Sequence, residues 1–359
     1  HRDEVEFHEY LQWQAELQLA AAGRRSWELG LGVGIYQDLA LGADAGGAET
    51  WGNRALYADS VSIGAPPDDF SLKGQDWGLP PFIPERLVES GYEPFIAALR
   101  ANMRYAGALR IDHVMGLARL FWVPSGRDPG RGAYVSYPLG DLLGILALES
   151  ERNRCLVIGE DLGTVPEVIW RALPELGALS YRVLYFEKEP DGNFKAPAAY
   201  PVDALVAVST HDLPTLRGYW LGRDLEVREQ LGLFPSVAMR DKLAAARARD
   251  RTRLLVALQR HGLLPEGVGP DPAVLPDLPS ELLRALHVFL ARAPAKVMVV
   301  QLEDALGQAE QANLPGSMGR HPNWRHRLAL DFERWTKDER VLALMEALRA
   351  VRGAAPHAR

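Results

Sequence analysis

Three carboxylates constrain this chain more than any other feature. Arg110-Ile111-Asp112-His113, Gly159-Glu160-Asp161-Leu162 and Thr210-His211-Asp212 each place an acid directly behind a run that reads as a buried β-strand. The runs are Gly107-Ala108-Leu109, Cys155-Leu156-Val157-Ile158 and Leu205-Val206-Ala207-Val208. They are apolar on both faces, as strands of a parallel sheet covered by helices must be. In a (β/α)8 barrel the C-terminal ends of the strands form the active-site face, so acids from different strands converge there. An Asp at a strand end can equally cap the next helix. Three in one chain favour a shared acid/base site.

The rest of the chain supplies the alternation that such a sheet needs. Helical periodicity predicts helices near 4–22, 93–105, 138–152, 166–173, 238–262, 280–292 and 338–352. Strands are expected near 31–38, at the run ending in Asp112, and near 155–160, 181–186, 204–210 and 296–302. This βαβ order predicts an α/β fold with right-handed crossovers. Six strands do not close an eight-stranded barrel, and the chain opens on a helix. The first two strands are therefore expected upstream of His1, with residues 1–359 read as one catalytic barrel domain holding strands three to eight. Loop and helical insertions are expected at about 41–90 and 221–295.

Composition narrows the class. A chain of 359 residues, 47% hydrophobic, can bury a large core. Forty basic against 47 acidic residues, net −7 and without a basic block, argue against nucleic acid or an anionic membrane as partner. The single cysteine, Cys155, has no disulfide partner and reads as core. No apolar run approaches the ~20 residues that span a bilayer, and His1-Arg2-Asp3-Glu4 lacks a signal-peptide pattern. A cytoplasmic enzyme is the expectation.

Individual motifs carry different weight. Arg110 and Asp112, two apart on a strand, face the same way, where the cation favours the charged carboxylate that a nucleophile needs. Gly64-Ala65-Pro66-Pro67-Asp68-Asp69-Phe70 through Gly74-Gln75-Asp76-Trp77-Gly78 is too rich in Pro, Gly and Asp for regular structure and is expected to be a loop. Its aromatic and amide groups suit a sugar, although a surface loop with Trp77 tucked beneath it reads as well. Gly30-Leu31-Gly32-Val33-Gly34 lacks the spacing of a nucleotide-binding turn and leads into an extended run. His1 and His8 have no further ligands to make a metal site and read as solvated.

These strings resemble a known family. Arg110-Ile111-Asp112-His113, Ile158-Gly159-Glu160-Asp161-Leu162-Gly163 and Ser209-Thr210-His211-Asp212 look like the conserved regions of the α-amylase clan. The stretch from Gly64 to Gly78, together with Asn313-Leu314-Pro315-Gly316 and His321-Pro322-Asn323-Trp324, resembles the amylomaltases, the 4-α-glucanotransferases of glycoside hydrolase family 77. The likeness runs from near Glu6 to near Leu348, and the string at 108–115 points to the longer bacterial maltodextrin-utilisation type.

The resemblance implies a (β/α)8 barrel and a retaining double displacement on α-1,4-glucans, with maltodextrins, maltose and glucose as substrates and partners. By motif position Asp112 would be the nucleophile, Glu160 the general acid and base, and Asp212 the stabiliser of the transition state. Arg110 and His211 match sugar ligands at the cleavage point. Asp68, Gln75 and Trp77 match a loop over the subsites, and Tyr36 and Asp38 lie in a family-like segment. No metal, nucleotide or pyridoxal cofactor is implied. Two other readings stay open: an α-glucan hydrolase, which shares the carboxylates and differs in water access, and a non-catalytic glucan-binding fragment.

Overall fold

Gly107 shows why local sequence fixes this fold. A Cβ at that position would lie 1.5 Å from the carbonyl oxygen of Val33, so only glycine lets the two backbones meet. Its N–H donates to the Ile35 oxygen at 2.9 Å and starts a parallel ladder. Residues 1–67, 74–317 and 319–353 are described in a computed structural model of the chain. They fall into two units, His1–Ser180 and a second that begins at Tyr181.

Strands in chain order are β1 (Tyr36–Leu39), β2 (Val61–Ala65), β3 (Gln75–Leu79), β4 (Ala108–Ile111), β5 (Arg119–Pro124), β6 (Ala133–Ser136), β7 (Leu156–Gly159), β8 (Leu179–Val183), β9 (Ala204–Ala207) and β10 (Val297–Val299). In the first unit β1 pairs with β4, β4 with β7, and β7 with the start of β8, all parallel. Helices Glu93–Met103, Leu139–Asn153 and Glu167–Leu176 precede β4, β7 and β8. The expected α/β alternation is borne out. Every residue of β4 is buried, in keeping with a strand covered on both faces. Leu99, Leu109, Leu146 and Ile169 are fully buried between sheet and helices, each contributing ~1.5–3 kcal/mol. Cys155 joins the same core.

The segment expected to be a loop from Gly64 to Gly78 requires correction. The end of β2 and all but the last residue of β3 lie within it, and with β5 and β6 these strands form an antiparallel sheet in the order β3-β2-β5-β6. The glycines permit strand pairing here. A Cβ on Gly64 would sit 2.0 Å from the Gln75 carbonyl oxygen, and the register slips at a bulge between Ile63 and Gly64. The apolar run Leu120-Phe121-Trp122-Val123, which the sequence reading left unassigned, supplies the central partner of β2.

Boundaries also move. The first helix runs Arg2–Glu28 rather than 4–22, with Val5, Phe7, Leu11 and Leu17 exposed. The strand expected at 31–38 begins only at Tyr36, because Gly30 and Gly34 take positive φ before it. The strand expected at 181–186 ends at Val183, and a 3-10 turn covers Leu184–Phe186.

In the second unit β9 pairs in parallel with β10, Leu205 opposite Val297. Helices Val237–Arg260, Ser280–Ala291 and Glu339–Arg352 lie close to their expected places. Trp220, Leu258, Phe289 and Leu290 are fully or almost fully buried. Arg247 forks onto Asp224 at 2.7 and 2.9 Å and lies over the Tyr219 ring, which stacks on Tyr185 at 4.1 Å. Among the described residues no helix is long and apolar enough to cross a membrane.

Candidate active site

Register builds the cluster in the first unit. Asp38 on β1 lies opposite Arg110 on β4, and Ile158 on β7 lies opposite Arg110 from the other side. Asp112 and Glu160 follow their strands directly and extend the ladder, Asp112 N–H donating to Leu39 O at 3.1 Å and Glu160 N–H to Ile111 O at 3.0 Å. Three acids therefore surround one guanidinium. Arg110 Nη1 donates to Asp38 Oδ1 at 2.7 Å, while Nη2 is 2.8 Å from Asp112 Oδ1 and 4.0 Å from Glu160 Oε2. Two oxygens around one nitrogen at those ranges lie at most about 7 Å apart, a bound that admits the ~5–5.5 Å spacing of a retaining pair.

The charges set the acid's state. Burial alone would pull the Arg110 pKa down, but Asp112, Asp38 and Glu160 outweigh it and hold the guanidinium above its ordinary value. Burial pushes the Glu160 carboxyl up, helped by Asp112 and opposed by the Leu162 N–H, Arg110 and the His113 N–H. Glu160 Oε1 accepts from Leu162 N–H at 2.8 Å and Oε2 from His113 N–H at 2.9 Å. His113 reaches it from a left-handed backbone, φ 45°, a conformation uncommon outside glycine and enriched in His, Asn and Asp. Burial lowers the His113 imidazole pKa, so its ring favours the neutral form.

Trp77 and Gln75 join this cluster through His113. The Trp77 ring meets the His113 ring edge-on at 5.4 Å, and its Nε1–H donates to Gln75 Oε1 at 3.1 Å. Both residues stand on one face of β3, which the sequence expected to be a loop. Tyr36 stands two residues before Asp38 on β1, opposite Ala108. Asp68 lies outside the described residues.

His211 and Asp212 belong to the second unit, behind β9. His211 Nε2 lies 3.2 Å from Asp212 Oδ2, and Asp212 N–H donates to Thr210 Oγ1 at 3.2 Å. The sequence reading missed what holds them. Asn313 donates its Nδ2–H to Asp212 Oδ1 at 2.6 Å and its backbone N–H to His211 O at 3.1 Å. Trp324 packs its ring 5.2 Å from the His211 ring. Both lie in motifs already noted for the family resemblance, which was the one available signal. Among the described residues no group of three or more His, Cys, Asp or Glu is arranged to hold a metal ion.

The glycoside hydrolase 77 family profile, described as 4-alpha-glucanotransferase, matches residues 1–331. The chain belongs to this family. It is 43% identical over 92% of its length to a 4-alpha-glucanotransferase of Haemophilus influenzae, and 40% identical over 98% to one of Mycobacterium tuberculosis. These alignments cover 47% and 48% of the relatives, so the chain spans about half their length. The structure superposes on the amylomaltase of Corynebacterium glutamicum with a TM-score of 0.89 at 35% identity, covering 97% of this chain and 51% of that one. The amylomaltase of Streptococcus agalactiae, solved with acarbose, has a TM-score of 0.67 at 20% identity over 90% of this chain and 58% of its own, a likeness of fold alone. The family read from the motifs is thus borne out.

Proposed function

We propose that this glycoside hydrolase 77 chain carries the reacting carboxylates of a 4-α-glucanotransferase, which cuts an α-1,4-glucan and passes the glucosyl segment to the 4-hydroxyl of another chain with retention. The observation that supports this best is the arrangement of Asp112 and Glu160 around a single Arg110 nitrogen. A buried acid with a raised pKa beside an arginine-paired carboxylate is the division of labour that a retaining pair needs.

In this reading Asp112 attacks the anomeric carbon and forms a β-glucosyl ester, while Glu160 gives its proton to the departing glycosidic oxygen. The acceptor's 4-hydroxyl then gives its proton to the Glu160 carboxylate as its oxygen attacks the anomeric carbon. The ester bond breaks and Asp112 is regenerated. Asp212, oriented by Asn313, stabilises positive charge on the sugar ring in both steps. Arg110, Asp38, Tyr36, Gln75, Trp77, His211 and Asp68 bind the glucan. Chromatography of a maltotriose digest tests the proposal: glucose with a ladder of longer maltodextrins is expected. Glucose and maltose without longer products would make the protein a hydrolase, and an unchanged substrate would overturn both.

A further inference from the structure

Trp324 is a large aromatic side chain left 66% exposed, although its ring lies against His211. Its backbone is held at φ 60°. For a bulky residue that left-handed value is a true outlier, retained only where the surroundings over-determine it. Here they do. Trp324 N–H donates to Ala312 O at 2.9 Å. The preceding Asn323 is pinned on both sides, its Oδ1 accepting from Leu314 N–H at 2.9 Å and its Nδ2 donating to Ser317 Oγ at 2.8 Å. The same loop sends Asn313 onto Asp212.

Backbone strain is thus spent on displaying an indole to solvent, where it gains little from burial. Folding alone gives no reason for this arrangement, because glycine would fit the backbone better. One flank of the ring is set by His211, which is paired with Asp212, and the rest faces water. A flat apolar surface fixed beside sugar-binding groups matches the C–H face of a pyranose, whose hydroxyls project around the rim and stay hydrated. We infer that Trp324 is a stacking platform for a glucosyl residue of the glucan bound at Asp212. The inference rests on the glucanotransferase reading, and it adds a binding contact which that reading does not contain.

The test is calorimetric titration of maltoheptaose into the protein carrying Asp112→Asn, which holds the glucan uncleaved, and into that protein with Trp324→Leu, Trp324→Gly or Trp324→Tyr added. The Leu and Gly variants are expected to weaken binding by about tenfold, and Tyr, which keeps a flat ring, by less than about threefold. The Gly variant should also unfold at no lower denaturant concentration than its parent, because it relieves the positive φ. Unchanged binding in the Leu and Gly variants would overturn the inference. So would equal weakening by Leu and Tyr, or a Gly variant that loses binding and stability together, since each makes the ring a structural prop. A protein that with Asp112 intact transfers glucan between maltotrioses, while the Trp324 variants bind normally, leaves the proposed function standing and removes only the platform. Absence of transfer with Asp112 intact, together with absence of binding in the Asp112→Asn protein, removes both.

Discussion

Asp304 is fully buried, and its carboxyl does two jobs in the second unit. One oxygen accepts the Leu216 N–H at 2.5 Å, and the other lies 3.2 Å from Ser209 Oγ. It thereby ties both ends of the segment that carries His211 and Asp212. Burial raises its pKa from the ordinary 3.8 to about 7, against the Leu216 and Ser209 hydrogen bonds. A group raised on folding contributes its full stability below the unfolded pKa and loses it as pH rises through the folded one. At ~1.4 kcal/mol for each tenfold change in proton affinity, the Asp304 charge costs the fold nothing at pH 3, about 3 kcal/mol at pH 6 and about 4 kcal/mol above pH 7. Asn fits the same partners, its oxygen accepting from Leu216 and its amide donating to Ser209 Oγ. Asp304→Asn should therefore be close to neutral at pH 4 and stabilising by about 2–4 kcal/mol at pH 8, with the difference growing between those values. Denaturant unfolding of both proteins at pH 4, 6 and 8 reads this directly. A difference that stays flat with pH, or an Asn variant weaker than wild type at pH 8, would refute the claim that the carboxyl is held against its ionisation.

The parallel strands were legible because burial on both faces leaves an unbroken apolar run, and the acids behind them follow from where such strands end. Arg110 and Asp112 could be paired from sequence because they stand two residues apart on one strand, and period two puts them on one face. The antiparallel sheet was not legible in the same way. Gly64 and Gly74 read as punctuation, since sequence cannot distinguish a glycine that ends a strand from one that lets two strands approach. Asn313 and Trp324 were hidden for another reason. Their roles depend on contacts with His211 and Asp212, about a hundred residues earlier in the chain, and no local pattern encodes a contact at that range.

Asp112 and Asp38 offer an internal control, because both bond the Arg110 guanidinium, at 2.8 and 2.7 Å, with side chains 35% and 44% exposed. Replacing either by Asn should cost about 1 kcal/mol of stability, but Asp112→Asn should lower the maltotriose transfer rate more than ~1,000-fold and Asp38→Asn less than ~100-fold; equal losses would sink the nucleophile assignment. Glu160 must be protonated to act as acid, so the transfer rate should fall as pH rises through a pKa above the ordinary glutamate range. Glu160→Gln should slow maltotriose far more than glucosyl fluoride, whose leaving group needs little protonation, and equal slowing would count against its role. The last prediction concerns Gly64, where β2 and β3 meet at the bulge. An added methyl 2.0 Å from the Gln75 oxygen and 3.0 Å from Val123 Cγ2 has a backbone on one side and a buried side chain on the other, so neither can yield cheaply. Gly64→Ala should cost about 1–3 kcal/mol. The damage should centre on β3, which carries Gln75 and Trp77, and leave the Arg110 cluster on β4 and β7 in place. Glucan binding should then weaken more than the chemical step slows, so KM rises while kcat holds within about threefold. Hydrogen exchange that loosens β4 and β7 as much as β2 and β3, or a fall in kcat with KM unchanged, would show that the two sheets do not divide the work in this way.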